Sequence, residues 1–199
     1  MKTLMFMITL LLACPADLKV KSSAKDTSAS ASPKPPPTLG VNERDDCDQT
    51  AIGSNVCDLY LKDHNDEYWR LYDHQGKVII LDFSTSWCYP CQRAATHVQK
   101  IQDDYGDKIV FATLLVQGPT GQPAILEDVE EWRLLYGITT APVLQASSDY
   151  VMDPNGITGY LVGGYPTYVY IDQNMTIHTG HVGFSEEYMR ITLDGLLGN

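Results

Sequence analysis

From Val78 onward, the hydrophobic positions alternate between two rhythms along the chain. Val78-Ile-Ile-Leu-Asp-Phe83 is apolar at nearly every position and led by β-branched residues, which predicts a buried central strand. Ala94, Ala95, Val98, Ile101 and Tyr105 then recur at helical spacing and give one apolar face. Gly106 supplies the stop. Ile109 to Val116 reads as the next buried strand. From Ile125 to Tyr136 the helical period returns, with Leu126, Val129, Trp132 and Leu135 or Tyr136 on one face and Gly137 behind it. Thr167 to Ile171 and Thr176 to Val182 predict two strands joined by a turn at Asp172-Gln173-Asn174. Ser185 is placed to cap a last helix, with Glu186 and Glu187 in its first turn. Strand–helix–strand–helix, then a hairpin and a helix, implies an α/β sandwich whose central mixed sheet is flanked by helices.

The N-terminal part follows a different logic. Lys2 precedes a short apolar run, Leu4 to Leu12, too short to span a bilayer comfortably. A basic start, a short apolar centre and small residues after it match a secretory signal. Leu11-Leu12-Ala13-Cys14 resembles a bacterial lipobox, which implies a signal peptide over residues 1–13 and lipidation of Cys14; an ordinary signal peptide is the alternative. Residues 14–45 turn to Lys, Ser, Ala, Asp and Pro, with Pro33-Lys34-Pro35-Pro36-Pro37 as the stiffest part. Such a composition buries too little apolar area to order itself and reads as a tether. The folded domain is expected over residues 46–199. Beyond the leader no apolar run is long enough for a transmembrane helix.

A hydrophobic fraction of 44% is that of a folded domain, and a formal net charge of -11 argues against nucleic acid as a partner. The cysteine count is five, odd for an exported protein. Assigning Cys14 to lipid leaves Cys47 with Cys57 and Cys88 with Cys91, in a compartment where disulfides persist. Cys47 and Cys57 flank the start of the fold and read as a stapling disulfide, with a second redox relay as the alternative.

Trp87-Cys88-Tyr89-Pro90-Cys91 sits where a buried strand turns into a helix. Cys88 then lies at the helix N-terminus, near unpaired N–H groups and the positive end of the dipole, which favours thiolate over thiol. Cys91, one turn further in, is more enclosed and able to attack a mixed disulfide made by Cys88. Pro90 falls in the first turn, where its missing N–H costs little. A zinc site would need a second ligand pair at metal spacing, and Cys47 with Cys57 is a poor one. A structural bridge this short would close almost no loop.

Leu81-Asp-Phe-Ser-Thr-Ser-Trp-Cys-Tyr-Pro-Cys91 resembles the active-site segment of the thioredoxin superfamily, in its extracytoplasmic TlpA/ResA-like branch. The resemblance runs from about Gly53 to the C-terminus. Ala51-Ile-Gly53 through Gly76-Lys77 is similar to that branch's N-terminal hairpin, and the stretch between Val116 and Tyr165 to its central insertion. The resemblance implies a thioredoxin-like fold and a thiol–disulfide oxidoreductase that reduces disulfides of exported proteins. It implies Cys88, Cys91 and Asp82 as catalytic residues; Asp82, buried in the strand, would have a raised pKa and relay a proton from Cys91. A strand-end acid bonded to backbone is the alternative for Asp82. Pro166, in Gly163-Gly164-Tyr165-Pro166-Thr167, matches the cis-proline loop that faces the dithiol. Trp87, Tyr89, Pro90, Tyr165 and Pro166 are the expected substrate contacts, with the backbone at Tyr165 pairing an extended segment and Trp87 shielding the dithiol.

The chain departs from this pattern at Tyr165, where a smaller residue is common. It departs again at Gln117, where an acid often stands; that acid's role is then absent or taken by Glu127. No cofactor and no metal are expected. The partners implied are exported disulfide proteins, a membrane electron donor of the DsbD/CcdA kind, and a bacterial membrane holding the lipid, with the domain in the periplasm or outside the cell. The competing reading is a thioredoxin-fold copper metallochaperone using Cys88, Cys91 and a histidine such as His178 or His181. Those two lie three apart on a strand and face opposite sides. A peroxiredoxin lacks support, because its Pro-x-x-x-Thr-x-x-Cys context is missing around Cys88. His64, His74 and His97 read as surface residues.

Overall fold

The computed structural model describes residues 47–151 and 159–198. The expected leader, Cys14 and the tether lie outside the described residues. The central sheet has seven strands: β1 (Tyr60–Asp63), β2 (Tyr68–Arg70), β3 (Val78–Thr85), β4 (Ile109–Gln117), β5 (Val143–Gln145), β6 (Thr167–Ile171) and β7 (Ile177–Val182). Their spatial order is β2-β1-β5-β4-β3-β6-β7. β4 runs parallel to β3 and β5, whereas β6 is antiparallel to β3 and to β7, so the sheet is mixed. Helices α1 (Tyr89–Tyr105), α2 (Leu126–Leu135), the short α3 (Ser148–Val151) and α4 (Glu186–Leu197) connect and flank it.

The two central strands are buried throughout, apart from a half-buried residue at the end of β4, as near-continuous apolar runs require. Period-two alternation then divides their side chains between two cores. Val78 and Ile80 of β3, with Ile109 and Phe111 of β4, pack against Cys91, Val98 and Ile101 of α1 and Met189 of α4. Ile79, Leu81 and Phe83 turn the other way, onto Leu59, Leu61, Leu71 and Tyr160. α1 ends where Gly106 takes φ 60 and returns its N–H to Gln102, a conformation glycine adopts at little cost. Ser185 caps α4 by accepting from the Tyr188 N–H at 3.3 Å.

Along α2 the predicted face holds at Val129 and Trp132, which are buried, but Leu135 is 67% exposed. Trp132 continues the face instead to Tyr136, with ring centroids 4.6 Å apart. This is the i, i+4 geometry of one helix face. β5 is too short to show a period and emerges only through its pairing with β4 and β1. The N-terminal hairpin is anchored by Asp58, whose side chain is fully buried. It accepts hydrogen bonds from Arg70 Nε at 2.6 Å, Leu59 N at 3.0 Å and Tyr72 N at 3.1 Å. The Cys47–Cys57 disulfide joins the start of the described chain to this region, with Cα atoms 4.9 Å apart. Among the described residues, no helix is long and apolar enough to cross a membrane.

Candidate active site

β3 ends at a bulge between Ser84 and Thr85, and the chain turns immediately into α1. Ser86 N donates to the Gln117 main-chain oxygen at 2.9 Å, and Cys88 N to the Thr85 oxygen at 3.2 Å, so the turn is fixed to both central strands. Cys88 is the N-cap of α1: its φ of -79° and ψ of 108° are extended, and its Sγ accepts from Cys91 N at 3.2 Å. The sulfur thus takes the place that a serine or aspartate oxygen takes at other helix starts. Pro90 lies in the first turn, where no N–H is needed. Cys88 and Cys91 form a disulfide, Cα atoms 5.2 Å apart, with Cys88 5% and Cys91 0% exposed. The exposure order makes Cys88 the sulfur a substrate reaches first.

The Tyr165–Pro166 bond is cis. The Tyr165 carbonyl oxygen lies 3.5 Å from Cys88 Sγ. A disulfide sulfur has no proton to donate, so in this oxidised state the approach is a contact; the reduced thiol could donate there. Trp87 and Tyr89 are exposed, and the Trp87 ring meets Tyr165 edge-on at 6.1 Å.

Asp82 lies on the same face of β3 as Ile80, the face packed against Cys91. Its side chain is buried and accepts from Ser84 Oγ at 2.8 Å and Thr113 Oγ1 at 3.3 Å. Burial pushes its pKa up to about 7, and these two hydroxyls hold back part of that rise. The bonds go to side chains, not to backbone. Ser84 is two residues along the same strand and could have been found from the alternation alone. Thr113 becomes visible only once the β3–β4 register sets it opposite Asp82. Tyr168, the cross-strand neighbour of Asp82 on β6, and Tyr170 close this region with buried rings.

Glu127 lies on the outer surface of α2, in a groove shared with Glu130, Glu131 and Leu134 and with no residue of the dithiol site. His178 is exposed, whereas His181 turns inward and stacks on Tyr168 at 5.0 Å and Tyr170 at 5.7 Å. Among the described residues no group of three or more His, Cys, Asp or Glu side chains could hold a metal ion. His64, His74 and His97 are half-buried at the surface. His74 stacks on Trp69 at 5.0 Å, and His97 pairs with Glu186 at 2.7 Å, contacts that composition does not reveal.

Residues 52–179 match the AhpC/TSA family. The thioredoxin-like protein YneN of Bacillus subtilis is 29% identical over 66% of this chain and 71% of its own length. The thiol-disulfide oxidoreductase ResA of Geobacillus thermodenitrificans is 32% identical over 62% of this chain; the match spans 65% of that relative's length. Among solved structures, the exposed lipoprotein thioredoxin of Streptococcus pneumoniae superposes with a TM-score of 0.59 at 28% identity. That superposition covers 70% of this chain and all of the other. With a Cys-x-x-Cys disulfide at the N-cap of the helix that follows a buried central strand, and with thiol–disulfide oxidoreductases among its homologues, the chain belongs to the thioredoxin-like AhpC/TSA family.

Proposed function

We propose that the protein is an extracytoplasmic reductase of disulfides in exported proteins, working through Cys88 and Cys91. The observation that carries this reading is the placement of Cys88 Sγ: at a helix N-terminus, bonded by the Cys91 N–H and open toward the Tyr165 carbonyl. In the reduced protein, that N–H and the helix dipole stabilise the Cys88 thiolate. The thiolate attacks one sulfur of a substrate disulfide, forming a Cys88–substrate mixed disulfide and expelling the other substrate sulfur as a thiolate, which takes a proton from water. Cys91 then loses its proton to the Asp82 carboxylate and attacks Cys88 Sγ. The second substrate thiolate leaves, and the Cys88–Cys91 disulfide carries the two electrons' worth of oxidation. A carboxyl with pKa near 7 is suited to hold that proton at neutral pH.

Each turnover leaves the protein oxidised, so a membrane dithiol donor of the DsbD/CcdA kind must reduce it again. The lipobox-like Leu11-Leu12-Ala13-Cys14 would anchor the chain through Cys14 beside such a donor, and similarity to an exposed lipoprotein thioredoxin supports that placement. Trp87, Tyr89, Pro90, Tyr165 and Pro166 are assigned to substrate contact, because Tyr165 sets its carbonyl against Cys88 Sγ and Trp87 packs on its ring.

The test is trapping. A Cys91→Ser variant lacks the resolving thiol, so incubation with oxidised insulin should accumulate a Cys88–insulin adduct by mass spectrometry. An adduct through Cys47 or Cys57, or none at all, would remove the assignment. Labelling of cells with a fatty acid tests the anchor: incorporation should vanish in Cys14→Ser.

A further inference from the structure

We propose that Gln117 is a positioning residue for substrate recognition, holding the indole of Trp87 as a fixed wall beside the dithiol. The inference rests on the assignment of Trp87 and Tyr165 to substrate contact. Trp87 is 51% exposed, yet its indole N–H donates to Gln117 Oε1 at 2.9 Å. Gln117 is the last residue of β4, paired with Thr85 just past the bulge in β3. Its main-chain oxygen also accepts from Ser86 N at 2.9 Å. One residue therefore holds the active-site turn twice, by backbone at Ser86 and by side chain at Trp87. On its other side the indole meets the Tyr165 ring edge-on at 89°, an arrangement aromatic pairs favour. Tyr165 is also the residue whose carbonyl approaches Cys88 Sγ.

A hydrogen bond at a solvent-accessible position replaces one to water and adds little to folding stability. What it does supply is orientation. A loop tryptophan without a partner samples several rotamers, and a docking polypeptide must freeze them on binding. With the indole already tied to Gln117 and braced by Tyr165, that ordering is done before substrate arrives. A glutamine also provides this acceptor with no negative charge; a carboxylate beside the cysteine pair would oppose the Cys88 thiolate. The chemistry recognised is an extended polypeptide disulfide with an apolar or aromatic side chain next to its cysteine, able to lie against the Trp87–Tyr165 edge.

The test uses Gln117→Met, which keeps length and the backbone bond to Ser86 but removes the acceptor, together with Trp87→Phe and the double variant. In ¹⁵N NMR spectra the three tryptophan indoles give separate signals, and Trp87→Phe identifies that of Trp87. In Gln117→Met this signal should move upfield and lose order on the ps–ns scale, whereas the other two stay put. With oxidised insulin as substrate, KM should rise about 3- to 10-fold and kcat change less than twofold. Adding Gln117→Met to Trp87→Phe should raise KM no further, because the two act through one contact. An unchanged, ordered indole in Gln117→Met, an unchanged KM, or additive effects would each overturn the proposal. If the wild-type protein reduces no insulin, the reductase reading falls separately. The same KM comparison is then made with a reduced dithiol peptide in the oxidising direction.

Discussion

Replacing Asp82 by asparagine removes a titrating group from the buried side of the site while preserving its shape, and the consequence for stability has a definite sign. Unfolded, the carboxyl titrates at its ordinary value of 3.8; folded, burial holds it up at about 7. The native state therefore binds more protons than the unfolded state between those values, and stability falls as pH rises through this window. Each pH unit corresponds to about 1.4 kcal/mol. The full interval amounts to about 4 kcal/mol that the oxidised wild-type protein has lost by neutral pH, relative to acid. The substituted amide cannot ionise and escapes this loss; the Ser84 and Thr113 hydroxyls can rotate to suit it. Urea unfolding of both oxidised proteins between pH 4 and 8 measures the effect. Every other titrating group is shared, so the difference between the two profiles isolates Asp82. The Asp82→Asn variant should gain on wild type by about 1.4 kcal/mol per pH unit until near pH 7, then run parallel. Profiles parallel across the whole range would refute the account of Asp82 as an acid kept neutral by burial. The same variant should resolve the Cys88 mixed disulfide at least tenfold more slowly, seen in stopped-flow traces as an accumulated adduct.

Other perturbations follow from particular contacts. Cys88→Ser should abolish insulin reduction outright, whereas Cys91→Ser should still form one covalent adduct per molecule; intact-protein mass spectrometry separates the two. Reducing or removing the Cys47–Cys57 bridge, which links positions ten apart, should cost about 3 kcal/mol by loop-closure entropy and leave exchange at Cys88–Cys91 in place. Urea midpoints and an insulin assay read those two effects. Arg70→Ala should destabilise by about 2–3 kcal/mol, because Asp58 stays buried without its cation while Arg70, 29% exposed, contributes less than a fully buried partner would. Thermal or urea unfolding of that variant checks it.

The elements around the dithiol were legible in the sequence because each carries a periodic signal long enough to read. The apolar runs of β3 and β4 and the helical spacing from Ala94 to Tyr105 place Cys88 at a strand–helix junction without any coordinates. Asp82 stands out by its isolation in an apolar strand. What the sequence did not show depends on register and on contacts between distant residues. Thr113 reaches Asp82 only because β4 aligns residue 113 with residue 82. β5 has three residues and no period of its own. The spacing of α2 left its last inward position open between Leu135 and Tyr136, and only the packing of Tyr136 on Trp132 decides it for Tyr136. Gln117 stood out as a departure at a strand end; its bond to Trp87 spans thirty residues of sequence and no local pattern announces it.

Whether Cys88 and Cys91 act as a reducing dithiol is decided by the reduction potential of that pair, measured with Cys47–Cys57 followed separately by alkylation and peptide mapping. A reversible two-electron step for Cys88–Cys91 is expected at about -270 mV, a value at which the protein donates electrons to substrate disulfides and must be recharged. A value near about -120 mV would make it an oxidant that introduces disulfides and would contradict the reductase account. The absence of any reversible step at this pair would contradict the exchange chemistry itself.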